Sequence, residues 1–168
     1  MTDALSTIGA GLELLSSVVS SGGPKRPRGL NIDREIVKAL RDIYFAPDGV
    51  KALLESIVEG NSPTIEEIEN ALPDFNDAEW RVDRALRRIE FERLGYDRRL
   101  SLRAAEELQK IAYGKVNLRS DIKRSLNEKL TRGGRVPPEF ANKLLVQLNA
   151  LNAMICAVEE QFNFDARR

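Results

Sequence analysis

The sequence predicts an all-α protein, a single-domain bundle of seven or eight short helices with a long C-terminal helix. Apolar residues recur at steps of three and four almost throughout, whereas no segment shows the period-2 alternation of a strand. Glycine and proline fall between these periodic segments, where they end one helix and admit the next. The 168 residues, 42% of them hydrophobic, suit one domain with a sizeable core.

The first element is an amphipathic helix predicted over residues 1–19. Its apolar seam consists of Leu5, Ile8, Leu12, Leu15 and Val19. Gly9 and Gly11 interrupt it, each costing about 1 kcal/mol relative to alanine, so this helix needs a docking surface. Its serine-rich polar face suits a lipid surface poorly, which favours docking in a groove of its own or a neighbouring subunit over membrane contact. A flexible basic linker is predicted over residues 20–30.

The helical bundle is predicted to fill residues 31–168. After a first helix come the turn "FAPDG" and a stripe of apolar residues that Gly60 ends. Ser62 or Thr64 is expected to cap a short helix before Pro73, and the pair Asn76 and Glu79 has the spacing of a capping box.

Later boundaries follow from the same kinds of residue. Ser101 is expected to cap a helix that stops near Gly114. The next helix runs from about Leu118 to the pair Gly133 and Gly134, and the prolines that follow suit the first turn of the last helix.

The last helix carries the most regular pattern in the chain. Its apolar positions alternate steps of four and three at Leu144, Leu148, Leu151, Ile155 and Val158. A bundle helix buried on one side is the favoured interpretation, and a self-association seam is the alternative. Asn149 and Asn152 flank this heptad seam and could fix the register of two paired copies.

The stretch "EWRVDRALRRIEFERLGYDRRLSLR" contains eight arginines and no lysine. Its helix is apolar on two sides, as in a central bundle helix or in one that a partner covers on one side. Arginine stacks on aromatic rings and forms bidentate contacts with carboxylates and phosphates. A partner-binding face is predicted at Trp80, Arg84, Arg87, Phe91 and Leu94.

Charge is segregated along the chain although the total is zero. Residues 52–80 carry eight acids and no base, and residues 81–135 carry sixteen bases and eight acids, giving −8 and +8. The two blocks either neutralise one another or form a dipolar surface that steers a charged partner.

The basic block also permits a helix-turn-helix-like nucleic-acid module over residues 98–124. Its candidate contacts are Arg98, Arg99, Arg103, Lys110, Lys115, Arg119, Lys123 and Arg124. Glu106 and Glu107 would repel phosphate, and the pI of 6.4 is far from that of a basic domain.

Composition excludes several kinds of chemistry. The absence of histidine removes Ser-His-Asp and Cys-His arrangements, and a zinc site would need more than the single cysteine. Cys156, in an apolar helical setting, is expected to be buried and inert. No phosphate-binding or nucleophile motif occurs, and no apolar run is uninterrupted over the roughly 20 residues of a membrane span.

The sequence therefore predicts a cytoplasmic, non-enzymatic protein-protein interaction or assembly module. It contacts a protein partner or further copies of itself. No cofactor, metal site or small-molecule substrate is indicated.

Overall fold

The structure, a computed structural model, describes residues 3–20, 40–73, 102–112 and 115–165. The helices with both ends inside these ranges are α1 (Ala4–Ser20), α2 (Asp48–Val58), α3 (Ile65–Ala71), α4 (Leu102–Ala112), α5 (Leu118–Gly133) and α6 (Pro138–Asp165). Residues 40–44 are also helical, and no strand occurs in the described ranges. The all-α prediction is confirmed for this part of the chain.

Two helices organise the packing. The N-terminal α1 lies against α4, α5 and α6, while α2 packs on α6 and on α3, which also touches α5. All six helices contribute to one cluster of buried apolar side chains, with Ile8 from α1 and Leu148 from α6 among its members. The helix that looked weakest in the sequence therefore contacts three others, and this packing offsets its poor intrinsic propensity.

Several predicted helix ends are confirmed in atomic detail. The Glu67 N–H donates to Thr64 Oγ1 at 3.1 Å and the Thr64 N–H donates to Glu67 Oε2 at 2.7 Å, which forms a capping box at α3. Gly60 and Gly134 have φ of 99° and 69°, left-handed values that glycine adopts without steric cost. The backbone turns away after α2 and α5 at these two residues.

The first residue of α6 is Pro138, where its missing N–H leaves no intrahelical bond unmade. With 28 residues it is the longest of the described helices. It contacts both α1 and α2. One of its sides faces the core, and the opposite side is exposed.

Candidate interaction surface

The heptad seam of α6 lies in the core. Leu144, Leu148, Leu151, Ile155 and Val158 are each at most 1% exposed, on the side of α6 that meets α1 and α2. The favoured interpretation, a bundle helix buried on one side, describes this seam. In this structure the helices that fill it belong to the same chain.

Asn152 has a role in the core that the sequence did not reveal. Its Oδ1 accepts the Ala46 N–H at 2.8 Å, and its Nδ2 donates to the Ala46 carbonyl at 3.1 Å. The side chain thus pairs with both the N–H and the carbonyl of Ala46, a buried residue just before α2 that would otherwise lack these hydrogen bonds. Asn152 is buried and holds the segment before α2 against α6 of the same chain, whereas Asn149 is exposed.

The N-terminal seam also packs within the chain. Ile8 and Leu15 are fully buried, and Leu5, Leu12 and Val19 are partly buried against the same core. The predicted docking groove is the one formed by α4, α5 and α6. The apolar side chains of α1 that were proposed to bind a partner therefore pack on other helices of the same chain in this structure.

Polar contacts hold α1 on both sides. Thr7 Oγ1 donates to Asp121 Oδ2 at 2.7 Å, and the same carboxylate accepts from Arg124 Nη2 at 2.6 Å. Both oxygens of this nearly buried carboxylate thus have a charged or hydroxyl donor, which compensates its desolvation. These contacts fix α1 against α5.

On another side of α1, the ring of Tyr44 packs against Gly11. A Cβ on Gly11 would lie 2.6 Å from the ring carbon Cε1, so only glycine permits this approach. The Tyr44 hydroxyl donates to Glu107 Oε1 at 3.3 Å, and Lys110 Nζ donates to Glu107 Oε2 at 3.2 Å. Burial and the charge of Glu107 raise the pKa of Tyr44 well above its ordinary value. Tyr44 is fully buried and Glu107 is 5% exposed, so the hydrogen bond between them links helices inside the core.

Four of the eight bases predicted for nucleic-acid contact pair with carboxylates of the chain. The pairs are Arg103 with Glu13 at 2.8 Å, Lys110 with Glu107 at 3.2 Å, Lys123 with Glu69 at 3.9 Å and Arg124 with Asp121 at 2.6 Å. Burial lowers the pKa of Arg119, and Lys115 is exposed. Arg98 and Arg99 lie outside the described residues. The pair between Glu69 on α3 and Lys123 on α5 joins the acidic block to the basic block, as expected if the two neutralise one another.

An open groove of about 460 Å³ follows one side of α5. Its lining residues are Ser120, Lys123, Arg124, Asn127, Glu128, Thr131 and Arg132. Two of its three bases, Lys123 and Arg124, already pair with acids. The groove therefore offers little uncompensated positive charge to a phosphate.

The side of α6 opposite the heptad seam is exposed. We call it the outer face of α6; its members are Asn142, Lys143, Val146, Asn149, Ala150, Ala153, Cys156, Ala157 and Glu160. Val146 is 59% exposed and is one of the most exposed large apolar side chains in the described ranges. Between Lys143 and Glu159 the sequence contains no charged residue over fifteen positions. A solvent-facing helix side normally carries charges, so this face has the composition of a contact surface.

The same composition has a second consequence. Among the described helices, Pro138–Gln161 alone is long and apolar enough to cross a membrane by length and composition, with a mean hydropathy of 1.2 and 39% of the window buried. The core helix of a water-soluble protein passes the same test. The packing of the heptad seam on α1 and α2 accounts for the apolar residues on one side, and only the outer face remains without a described neighbour.

The prediction that Cys156 is buried is wrong, since the residue is exposed on the outer face of α6. Its apolar sequence neighbours suggested burial, but Ile155 points to the core and Cys156 lies 100° further round the helix. The heptad seam does not indicate the outer face. The available signal was the charge-free run over residues 144–158, because a solvent-facing helix side normally carries charges.

The predicted partner-binding face lies outside the described residues; its members are Trp80, Arg84, Arg87, Phe91 and Leu94. Within the described ranges, no three cysteine, aspartate or glutamate side chains are grouped so that they could hold a metal ion.

Comparison with known proteins gives no relative for this chain: no family model, no curated protein sequence and no solved structure matches it.

Proposed function

We propose that this protein is a non-enzymatic assembly module that associates with further copies of itself through the outer face of α6. The observation that supports the proposal most directly is the exposure of this face together with its lack of charge from residue 144 to residue 158. Val146 on this face is 59% exposed, and depletion of charged residues is typical of the cores of protein-protein contact sites.

The burial of the other two apolar seams supports the choice of the outer face of α6 as the contact surface. The N-terminal seam and the heptad seam of α6 are both covered by the chain's own helices. Contact with another molecule then depends on surface that the bundle leaves open. The non-enzymatic part of the proposal is supported by the sequence, which lacks histidine, the commonest general base near neutral pH.

Sedimentation velocity and light scattering over a range of protein concentrations test the proposal. We expect the wild-type protein to associate reversibly as its concentration rises. The substitution Ala153→Lys places a charge at the centre of the outer face and should abolish association, because each interface would then desolvate two lysines. Ala52→Lys is the matched control, since Ala52 is an exposed alanine on α2.

The two outcomes against the proposal are distinct. A wild-type chain that stays monomeric at every concentration would refute self-association. Association that persists unchanged in Ala153→Lys would place the contact on another surface. Thermal unfolding of each variant, followed by circular dichroism, checks that an exposed lysine leaves the fold intact.

A further inference from the structure

The outer face of α6 has a spacing that reads the same in both directions. Along one line of this face come Lys143, Val146, Ala150, Ala153, Ala157 and Glu160, at steps of three, four, three, four and three. When two identical helices pair antiparallel about a twofold axis, the order of residues on one is matched against the reversed order on the other. Lys143 then faces Glu160 of the second copy, Val146 faces Ala157, and Ala150 faces Ala153.

We propose that two copies of this chain pair antiparallel through α6 in this register. The inference rests on the proposed self-association and adds the partner, the orientation and the contacts. Lys143 and Glu160 are both exposed, and neither forms an ion pair with any residue that the structure describes. An antiparallel pair joins them twice, once at each end of the apolar segment. A parallel pair would instead place lysine beside lysine and glutamate beside glutamate, which is unfavourable.

The side chains between these charges suit close helix packing. Three of the four are alanine, so two helices can approach to about 8 Å, the short end of the usual range of interaxial distances. The segment from Lys143 to Glu160 is about 26 Å long at 1.5 Å per residue. Such a narrow contact is expected to be smaller than a standard protein-protein interface, and the dimer should dissociate on dilution.

A lipid surface fits the same face less well. Asn142 and Asn149 lie on it beside the alanines, and their amides would lose hydrogen bonds to water in a hydrocarbon layer. In a helix pair these amides lie at the edge of the contact, where water still reaches them. Charged residues at both ends of the line also match a second copy better than a uniform lipid phase.

Charge exchange tests the register. Lys143→Glu and Glu160→Lys each convert both end contacts from attraction to repulsion, because the twofold axis repeats every contact. Each single variant should raise the dimer dissociation constant about tenfold, equivalent to about 1.4 kcal/mol, in sedimentation equilibrium at low salt. The double variant, Lys143→Glu with Glu160→Lys, restores opposite charges at both ends and should return the constant to within about threefold of wild type.

Matched controls remove the effect of net charge. Arg132→Glu and Glu55→Lys change net charge by the same amounts at exposed positions on α5 and α2 and should leave the dissociation constant unchanged. Single variants that associate like wild type, or a double variant weaker than both singles, would overturn the antiparallel register. If Ala153→Lys still abolishes association in that case, self-association through the face stands and only the register fails.

A third outcome separates the lipid alternative. Flotation with vesicles of mixed neutral and anionic lipid is measured for the wild type and for Ala153→Lys. We expect no flotation of either. A wild-type chain that is monomeric in solution and floats with vesicles, while Ala153→Lys does not, would overturn pairing with a second copy.

Discussion

The helices α1 and α6 carry similar apolar seams but differ in what surrounds the rest of each helix. The seam of α1 faces three helices, and Thr7 and Gly11 fit against Asp121 and Tyr44 beside it. The seam of α6 faces α1 and α2, while its opposite side has no described neighbour. The weaker helix by intrinsic propensity is thus the more completely enclosed.

This difference shows that seam regularity does not distinguish a contact within the chain from a contact between chains. The heptad seam of α6 is the most regular in the sequence, yet it packs on its own bundle. The outer face, whose side chains between Lys143 and Glu160 are small or uncharged, is the one left open. In a helix with one buried apolar seam, the opposite side is the better indicator of contact with another molecule, because packing within the fold does not require that side to be apolar.

The largest expected effect contrasts the two sides of α6. Leu148→Ala removes a fully buried side chain from the core and should lower the free energy of unfolding by about 2–5 kcal/mol. Val146→Ala, two residues away and 59% exposed, should change the stability of the monomer by less than about 0.5 kcal/mol. Urea denaturation of dilute protein measures both. A similar loss in the two variants would mean that the outer face is also buried in the monomer.

A smaller effect separates the two glycines of α1. Gly11→Ala places a Cβ against the enclosed ring of Tyr44, and we expect overpacking of about 1–3 kcal/mol to exceed the gain of about 1 kcal/mol in helix propensity. Gly9→Ala gains the same propensity with nothing within 4 Å of the new atom, so it should stabilise the protein. Thermal unfolding of the pair reports the signs. Stabilisation by both substitutions would show that α1 does not pack on Tyr44.

Most of the local structure could be predicted because it depends on short-range chemistry. The cap at Thr64, the helix end at Gly134 and the start of α6 at Pro138 follow from residues within one helical turn. The buried seams also follow from spacing, since 3.6 residues per turn place them on one side of each helix. These features need no knowledge of which helices are neighbours.

The contacts between distant segments could not be predicted in the same way. Under the self-association alternative Asn152 could fix the register of two paired copies, but its amide binds Ala46, 106 residues earlier in the sequence. Cys156 was expected to be buried, but the position of the core around α6 decides its exposure. Spacing identifies the sides of a helix, whereas only the tertiary arrangement decides which neighbour each side meets.

The pH dependence of stability tests how completely the surroundings of α1 exclude water. The pKa of Tyr44 is raised above 10.0 chiefly by burial and further by the charge of Glu107. Above that pH the unfolded chain loses the proton while the folded chain keeps it, so this group makes the protein less stable as pH rises. Denaturation at about pH 8 and about pH 11 should show a larger loss for wild type than for Tyr44→Phe. Equal losses in the two proteins would indicate that Tyr44 reaches solvent.

The smallest effects concern the ion pairs that hold each helix. Arg41 Nη1 donates to both carboxylate oxygens of Glu159 on α6 at 2.6 Å, and its guanidinium lies 4.3 Å from the centre of the Phe45 ring. Arg103 reaches Glu13 on α1 from a side chain that is 77% exposed. Exposure screens the second pair and leaves its long side chains free to move, so Arg103→Ala should cost less than about 1 kcal/mol.

Arg41→Ala should cost about 1–2 kcal/mol, because the contact of Nη1 with both carboxylate oxygens of Glu159 and the ring contact are lost together. Urea denaturation at low and high salt compares the two variants. Salt should reduce the effect of Arg103→Ala nearly to zero while much of the effect of Arg41→Ala remains, since contact with the ring is less sensitive to screening. If Arg41→Ala and Arg103→Ala cost the same as each other at both salt concentrations, the surface ion pair would hold α1 as strongly as Arg41 holds α6. Burial of Thr7 and Gly11 would then not be what secures the N-terminal helix.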